Sequence, residues 1–198
     1  LYLRGSAARE EWIKGLSDVD FYVIVKEGKS TPEPAIVDLQ SKLRSVIRGY
    51  DPAEISFRVV SESEIGSSQV QSFLTGLDAQ LVAGQDVLGE FQKPSINKIR
   101  SYGKEYTSYL CDFWIEPKEA SRSLEEQVRE TQYMLLKLAQ SSLVSRGILA
   151  LKKGEVVEAF LKEYANFRLA YLIYWAWKIR SNWPESMARP QEMERFVK

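Results

Sequence analysis

The chain has 198 residues, and Lys+Arg and Asp+Glu both number 27, so its formal charge is zero. That balance argues against a broad nucleic-acid-binding surface. With no histidine and a single cysteine, Cys111, the chain excludes Ser-His and Cys-His nucleophile pairs, imidazole metal sites and an internal disulfide framework.

Residues 1–4 read as a first strand and 18–26 as a second. Between them, residues 7–16 suit a short helix ending at Gly15. Asp18 and Asp20 flank Val19 at the mouth of the second strand. Strand side chains alternate between faces, so the two carboxylates are expected to project together. Paired carboxylates repel, and a hard divalent cation such as Mg2+ relieves the repulsion. Gly5-Ser6 lies at the turn leaving the first strand. Glycine admits close backbone approach, and turn N–H groups with a serine hydroxyl form a concavity for phosphate oxygens. Arg9 lies near that turn, either to contact a triphosphate or to sit in solvent as an ordinary helix arginine. Ser17 either braces the aspartate loop or is an ordinary turn serine.

A turn-rich stretch at residues 27–34 precedes a helix with Ile36, Leu39, Leu43, Val46 and Ile47 at helical spacing. Residues 53–60 alternate as a third strand, with Glu54, Ser56 and Arg58 on one face and Ile55, Phe57 and Val59 on the other. Ser61 and Glu64 form a capping box for the next helix. Residues 79–84 read as a last short strand, and a loop follows to Pro94. This first domain spans residues 1–92.

Residues 93–198 carry long helical patterns and no convincing strand. One stripe runs through Ile99, Tyr102, Tyr106, Tyr109, Leu110 and Phe113, and Pro117 ends it. A second runs from Leu124 to Leu143, and a third from Val157 through Tyr164 and Tyr171 to Ile179. Residues 169–177 are apolar all round, which predicts burial in the bundle or in a homodimer interface. That run is about half the length a membrane span needs. No signal-peptide pattern opens the chain, so a cytoplasmic protein without membrane attachment is expected. The chain begins inside a strand close to the motif, which predicts a preceding helix and strand start outside it. The expected class is α+β: a small mixed sheet with flanking helices, then an all-α bundle.

Gly-Ser, a spacer of about ten residues and Asp-x-Asp in a hydrophobic strand together resemble the signature of the polymerase-beta-like nucleotidyltransferase superfamily. The wording GSAARE…SDVDFYVIV is most similar to its kanamycin-type and minimal members. The motif covers residues 1–25, and the two-part layout extends the likeness loosely to the whole chain. The resemblance implies transfer of a nucleoside monophosphate from an NTP to an acceptor hydroxyl, with release of pyrophosphate. Asp18 and Asp20 would hold Mg2+ in a two-metal site, and Gly5 and Ser6 would hold the β and γ phosphates, with Arg9 nearby.

Members place a third carboxylate on the third strand. Here that position is Ser56, and Glu54, about 7 Å away along the strand on the same face, is either its replacement or an edge glutamate. Residues 84–88 match a Gly-x-Asp-x-Leu link between halves. In kanamycin-type members the helical half contributes a carboxylate base, for which Glu125, Glu126, Glu130, Glu155, Glu158 and Glu163 are candidates. The acceptor is a small molecule or a protein hydroxyl, with nucleic acid disfavoured by the charge balance. The competing reading is a catalytically weak nucleotide-binding or partner-binding, antitoxin-like protein.

Overall fold

A computed structural model of the chain describes residues 1–26, 37–38, 41–42, 45, 55–66, 68–115 and 122–197. The protein is α+β and divides into two compact units, Leu1–Pro94 and Ser95–Lys198.

The first unit is built on a four-stranded mixed sheet. Its strands are β1 (Tyr2–Arg4), β2 (Val19–Val25), β3 (Ile55–Ser61) and β4 (Ala79–Leu81), in spatial order β3-β2-β1-β4. β1 runs antiparallel to both β2 and β4, whereas β2 and β3 are parallel. The register pairs Arg4 with Asp20, and Asp20 with Ser56. These three side chains therefore share one face at one end of the sheet.

Alternation gives the sheet two apolar faces. On the Asp20 face, Tyr2, Tyr22 and Val60 bury against Ile65 and Leu88. On the other, Val19, Phe21 and Ile55 pack with Leu3, Ala7, Trp12 and Phe57. Phe21 and Phe57 are register partners, and their rings stack at 5.1 Å, which fixes the parallel pairing at the end where Asp20 sits.

Helices α2 (Glu62–Gly66) and α3 (Gln69–Leu77) connect β3 to β4. The Ser61 capping box is formed: Ser61 N–H donates to Glu64 Oε2 at 2.7 Å, and Glu64 N–H to Ser61 Oγ at 3.2 Å. The expected helix around residues 36–47 lies largely outside the described residues, and Asp38 and Lys42 there form an i,i+4 pair.

The connection from β1 to β2 differs from expectation. One helical turn, α1 (Gly5–Ala8), begins at the glycine itself, and residues 11–13 are not helical. Two left-handed residues, Glu10 at φ 60° and Gly15 at φ 74°, interrupt any longer helix. Side-chain bonds hold the alternative path: the Trp12 indole N–H donates to the Ser17 carbonyl at 3.0 Å, and Ile13 N–H to Ser17 Oγ at 3.0 Å.

The second unit contains α4 (Ile96–Ile115), α5 (Leu124–Arg146), α6 (Lys153–Glu163), α7 (Ala170–Ser181), α8 (Trp183–Met187) and α9 (Pro190–Val197). α4 and α5 run antiparallel. Gly103 lies so close to the Ser145 backbone that a Cβ there would collide with it, and Thr107 Oγ1 donates to Ser141 Oγ at 2.9 Å. Leu136, Leu143, Val156, Phe160, Ile173 and Ala176 form the core of this unit.

The expected third stripe is two helices rather than one. The break after Glu163 is stabilised by Phe160, whose ring meets Tyr164 at 4.6 Å and Phe167 at 6.5 Å. Of residues 169–177, expected to be buried in the bundle or in a homodimer interface, Ala170, Ile173 and Ala176 are buried within this unit, whereas Tyr171, Tyr174 and Trp175 are exposed on α7. Among the described residues, no helix is long and apolar enough to cross a membrane.

Candidate functional site

Gly5 leaves β1 at φ 67°, in the left-handed region that only glycine adopts without cost. A Cβ built there would lie 3.1 Å from Asp20 Oδ2. The turn and the carboxylate are thus in close approach, and the missing side chain is what admits Asp20. Ser56, its neighbour on β3, donates its hydroxyl to Asp20 Oδ1 at 2.5 Å. One carboxylate is therefore held between a glycine turn and a serine hydroxyl, with each oxygen given a defined neighbour.

Asp18 sits just before β2 and is exposed. Its approach is fixed by Ser17, which is 3% exposed and whose Oγ and carbonyl accept the two bonds from residues 12 and 13 described above. Ser17 is a brace for the aspartate loop. Ser6 lies within the helical turn that follows Gly5 and is partly exposed.

Arg9 is engaged elsewhere. Its Nε donates to Glu11 at 2.8 Å, and its Nη1 pairs with Asp78, at the junction of α3 and β4. Burial works against its charge, but Asp78 and Glu11 outweigh that and raise its pKa above the ordinary arginine value. A triphosphate would reach Arg9 only in competition with two carboxylates already in place. Glu54 lies outside the described residues. Among the described residues no group of three or more acidic or cysteine side chains is gathered as for a metal. The carboxylates of Asp18 and Asp20 are oxygen donors of the kind that hard divalent cations prefer.

Two arginines at the site were given no role by the sequence, although strand alternation already puts Arg58 on the Ser56 face. Arg4, the register partner of Asp20, stands on the same face. Its guanidinium carbon lies 4.9 Å from the centroid of the Tyr22 ring, and Arg58 approaches the same ring at 5.7 Å. The register of β1 and β3 on β2 adds Arg4 and Asp20, so that residues 4, 20, 56 and 58 share one face. A small recess of about 60 Å³ beside Tyr22 and Arg58 is lined by Glu64, Gln71 and Thr75.

The Gly-x-Asp-x-Leu stretch is a brace. Tyr2 Oη donates to Asp86 Oδ1 at 2.9 Å and accepts the Val87 and Leu88 N–H groups at 2.7 and 3.1 Å. Asp86 Oδ1 also accepts the Gly89 N–H at 2.9 Å. Burial, as the leading cause, raises the Tyr2 pKa above its ordinary value.

Most candidate base residues of the second unit have local partners. Glu126 completes a capping box with Ser123, whose N–H and hydroxyl lower its pKa. Glu155 accepts the Lys152 N–H at 3.3 Å. Glu125, Glu130 and Glu163 pair with Arg129, Arg122 and Arg146. Glu158 is exposed on α6.

Comparison with family models, with curated proteins and with solved structures returns no match for this chain.

Proposed function

We propose that the first unit is the catalytic part of a magnesium-dependent nucleotidyltransferase. Its reaction moves a nucleoside monophosphate from an NTP to an acceptor hydroxyl. The acceptor oxygen forms a bond to the α-phosphorus, the α–β anhydride bond breaks, pyrophosphate leaves and the hydroxyl proton is lost to solvent or a base. The observation that carries this reading is the close approach of Asp20 to the Gly5 turn, with the Asp20 carboxylate fixed by Ser56.

Asp18 and Asp20 are the residues that would hold the cation. When bound, such an ion would supply charge neutralisation at the phosphate oxygens and would acidify the attacking hydroxyl. Asp20 is pre-positioned, because its carboxylate loses little freedom on binding. Ser56 orients one Asp20 oxygen and leaves the other toward Gly5. The Gly5-Ser6 turn offers N–H groups and a hydroxyl to phosphate oxygens. Ser17 keeps the loop carrying Asp18 from relaxing.

A second reading is nucleotide binding without turnover. The Ser56 bond favours it, since a neutral hydroxyl stands where the resembled family has a third acid. A screen of labelled NTPs against small-molecule and protein acceptors, read by magnesium-dependent pyrophosphate release, separates the two. Release that is lost in Asp18→Asn and Asp20→Asn supports transfer. Mg-ATP binding with no release for any acceptor supports the second reading.

A further inference from the structure

We propose that Arg4 and Arg58, braced on Tyr22, form a polyphosphate clamp that works without a metal ion. For its ligand this inference rests on the nucleotidyltransferase reading. It assigns to two cationic side chains part of the charge neutralisation that a complete carboxylate–metal set would provide.

The two arginines come from the strands on either side of β2. Both stand on the Asp20 face, at Arg4↔Asp20 and Tyr22↔Arg58 in the register. Directly opposed residues on antiparallel strands have Cβ atoms about 4.5–5.5 Å apart, so Arg4 could have paired with Asp20. It does not: among the described residues no ion pair joins them, and Arg4 lies over the Tyr22 ring instead. Its Nε is buried without a hydrogen-bond partner among the described residues. With Nε closed to solvent, an anion would meet the Arg4 guanidinium through its outer nitrogens, Nη1 and Nη2.

Arg58 is exposed at its end of the same ring. Among the described residues, Glu64 faces it; Glu64 accepts from the Ser61 N–H and hydroxyl at 2.7 and 3.1 Å, and those bonds, together with the Arg58 charge, lower its pKa. Both guanidiniums are stacked on a common aromatic support, which limits their rotamers before any ligand arrives. Planar guanidiniums with several donors match phosphate oxygens. Ser56 stands on this face as a neutral hydroxyl and adds no charge to it.

The test is calorimetric titration of the full chain with inorganic tripolyphosphate, ATP and AMP in EDTA, at low and raised salt. Tripolyphosphate and ATP should bind with similar affinity, AMP more weakly, and salt should weaken all three. Arg58→Gln should lose about tenfold in tripolyphosphate affinity, the loss of one charge-assisted contact. Arg58 is exposed, so this variant keeps the fold even if Arg4→Gln does not. Asp20→Asn, which removes a repelling charge, should bind tripolyphosphate at least as tightly as the parent chain while losing transfer.

No tripolyphosphate binding by the parent chain in EDTA, or unchanged affinity in Arg58→Gln, overturns the clamp. Transfer activity accompanied by either result leaves the transferase reading standing and the clamp refuted. Arg58-dependent binding without transfer for any acceptor does the reverse.

Discussion

Replacing Gly5 by alanine strains the turn and crowds the carboxylate at once, and Gly15 separates the two effects. Gly5 and Gly15 both hold left-handed backbone, at φ 67° and 74°. A Cβ at Gly15 meets nothing within 4 Å, whereas one at Gly5 lies 3.1 Å from Asp20 Oδ2. Left-handed strain for a residue with a Cβ costs about 1–2 kcal/mol, and the entropy gained by stiffening the unfolded chain is the same for both. Gly15→Ala should therefore lose about 1–2 kcal/mol. Gly5→Ala adds displacement of Asp20 from Ser56. A hydrogen bond to a charged group is worth about 1.5–3 kcal/mol, discounted here to about 1 because the site is partly exposed. Gly5→Ala should then lose about 2–3 kcal/mol in all. Urea denaturation of the two variants gives the difference, and Mg-ATP binding should fall only in Gly5→Ala. Equal destabilisation with unchanged Mg-ATP binding in both would refute the idea that the missing side chain makes room for Asp20.

Ser56→Asp should restore the acid that the resemblance expects: in EDTA the variant melts lower than the parent chain, through carboxylate repulsion beside Asp20, and Mg2+ recovers the loss, read by thermal unfolding with and without the ion. Tyr2→Phe strips three bonds from the link at residues 86–88 and should cost about 1–3 kcal/mol in urea. Because the folded Tyr2 pKa is raised, its contribution is intact below the unfolded value of about 10 and is lost as pH rises through the folded one. An alkaline limb in the stability profile of the parent chain that is missing in Tyr2→Phe checks the sign. Gly103→Ala should cost about 1–3 kcal/mol or more by forcing α4 off the Ser145 backbone, measured by denaturation with Thr107→Val as a milder comparison.

Much of the sheet was legible because period-2 alternation is strong where both faces are covered. Phe21, Phe57 and Tyr22 announce their faces, and the Ser61–Glu64 cap follows from local chemistry. Residues 7–16 were not legible as a loop. Their composition suits a helix, and the override comes from the Trp12 and Ser17 bonds and the left-handed Glu10, which depend on the exact path of the chain. The break after Glu163 was hidden for a similar reason: an unbroken apolar pattern carries no mark of a turn formed by Phe160 and Phe167. On α4, Tyr102, Tyr106, Tyr109 and Phe113 stack on one another at 5.8–6.3 Å. Periodicity alone read this ladder as part of the packing stripe, although Tyr109 and Phe113 are exposed. At the site, Asp20 and Gly5 could be paired from sequence. The detachment of Arg4 from Asp20, and the capture of Arg9 by Asp78, needed the strand order.

The most direct measurement is Mn2+ binding, as a paramagnetic stand-in for Mg2+, followed by electron paramagnetic resonance with a non-hydrolysable ATP analogue present. The parent chain should take up the ion with the nucleotide, and Asp18→Asn and Asp20→Asn should each release it while remaining folded. Uptake in Asp20→Asn equal to that of the parent chain would contradict the assignment of the β2 carboxylates as the ion's ligands.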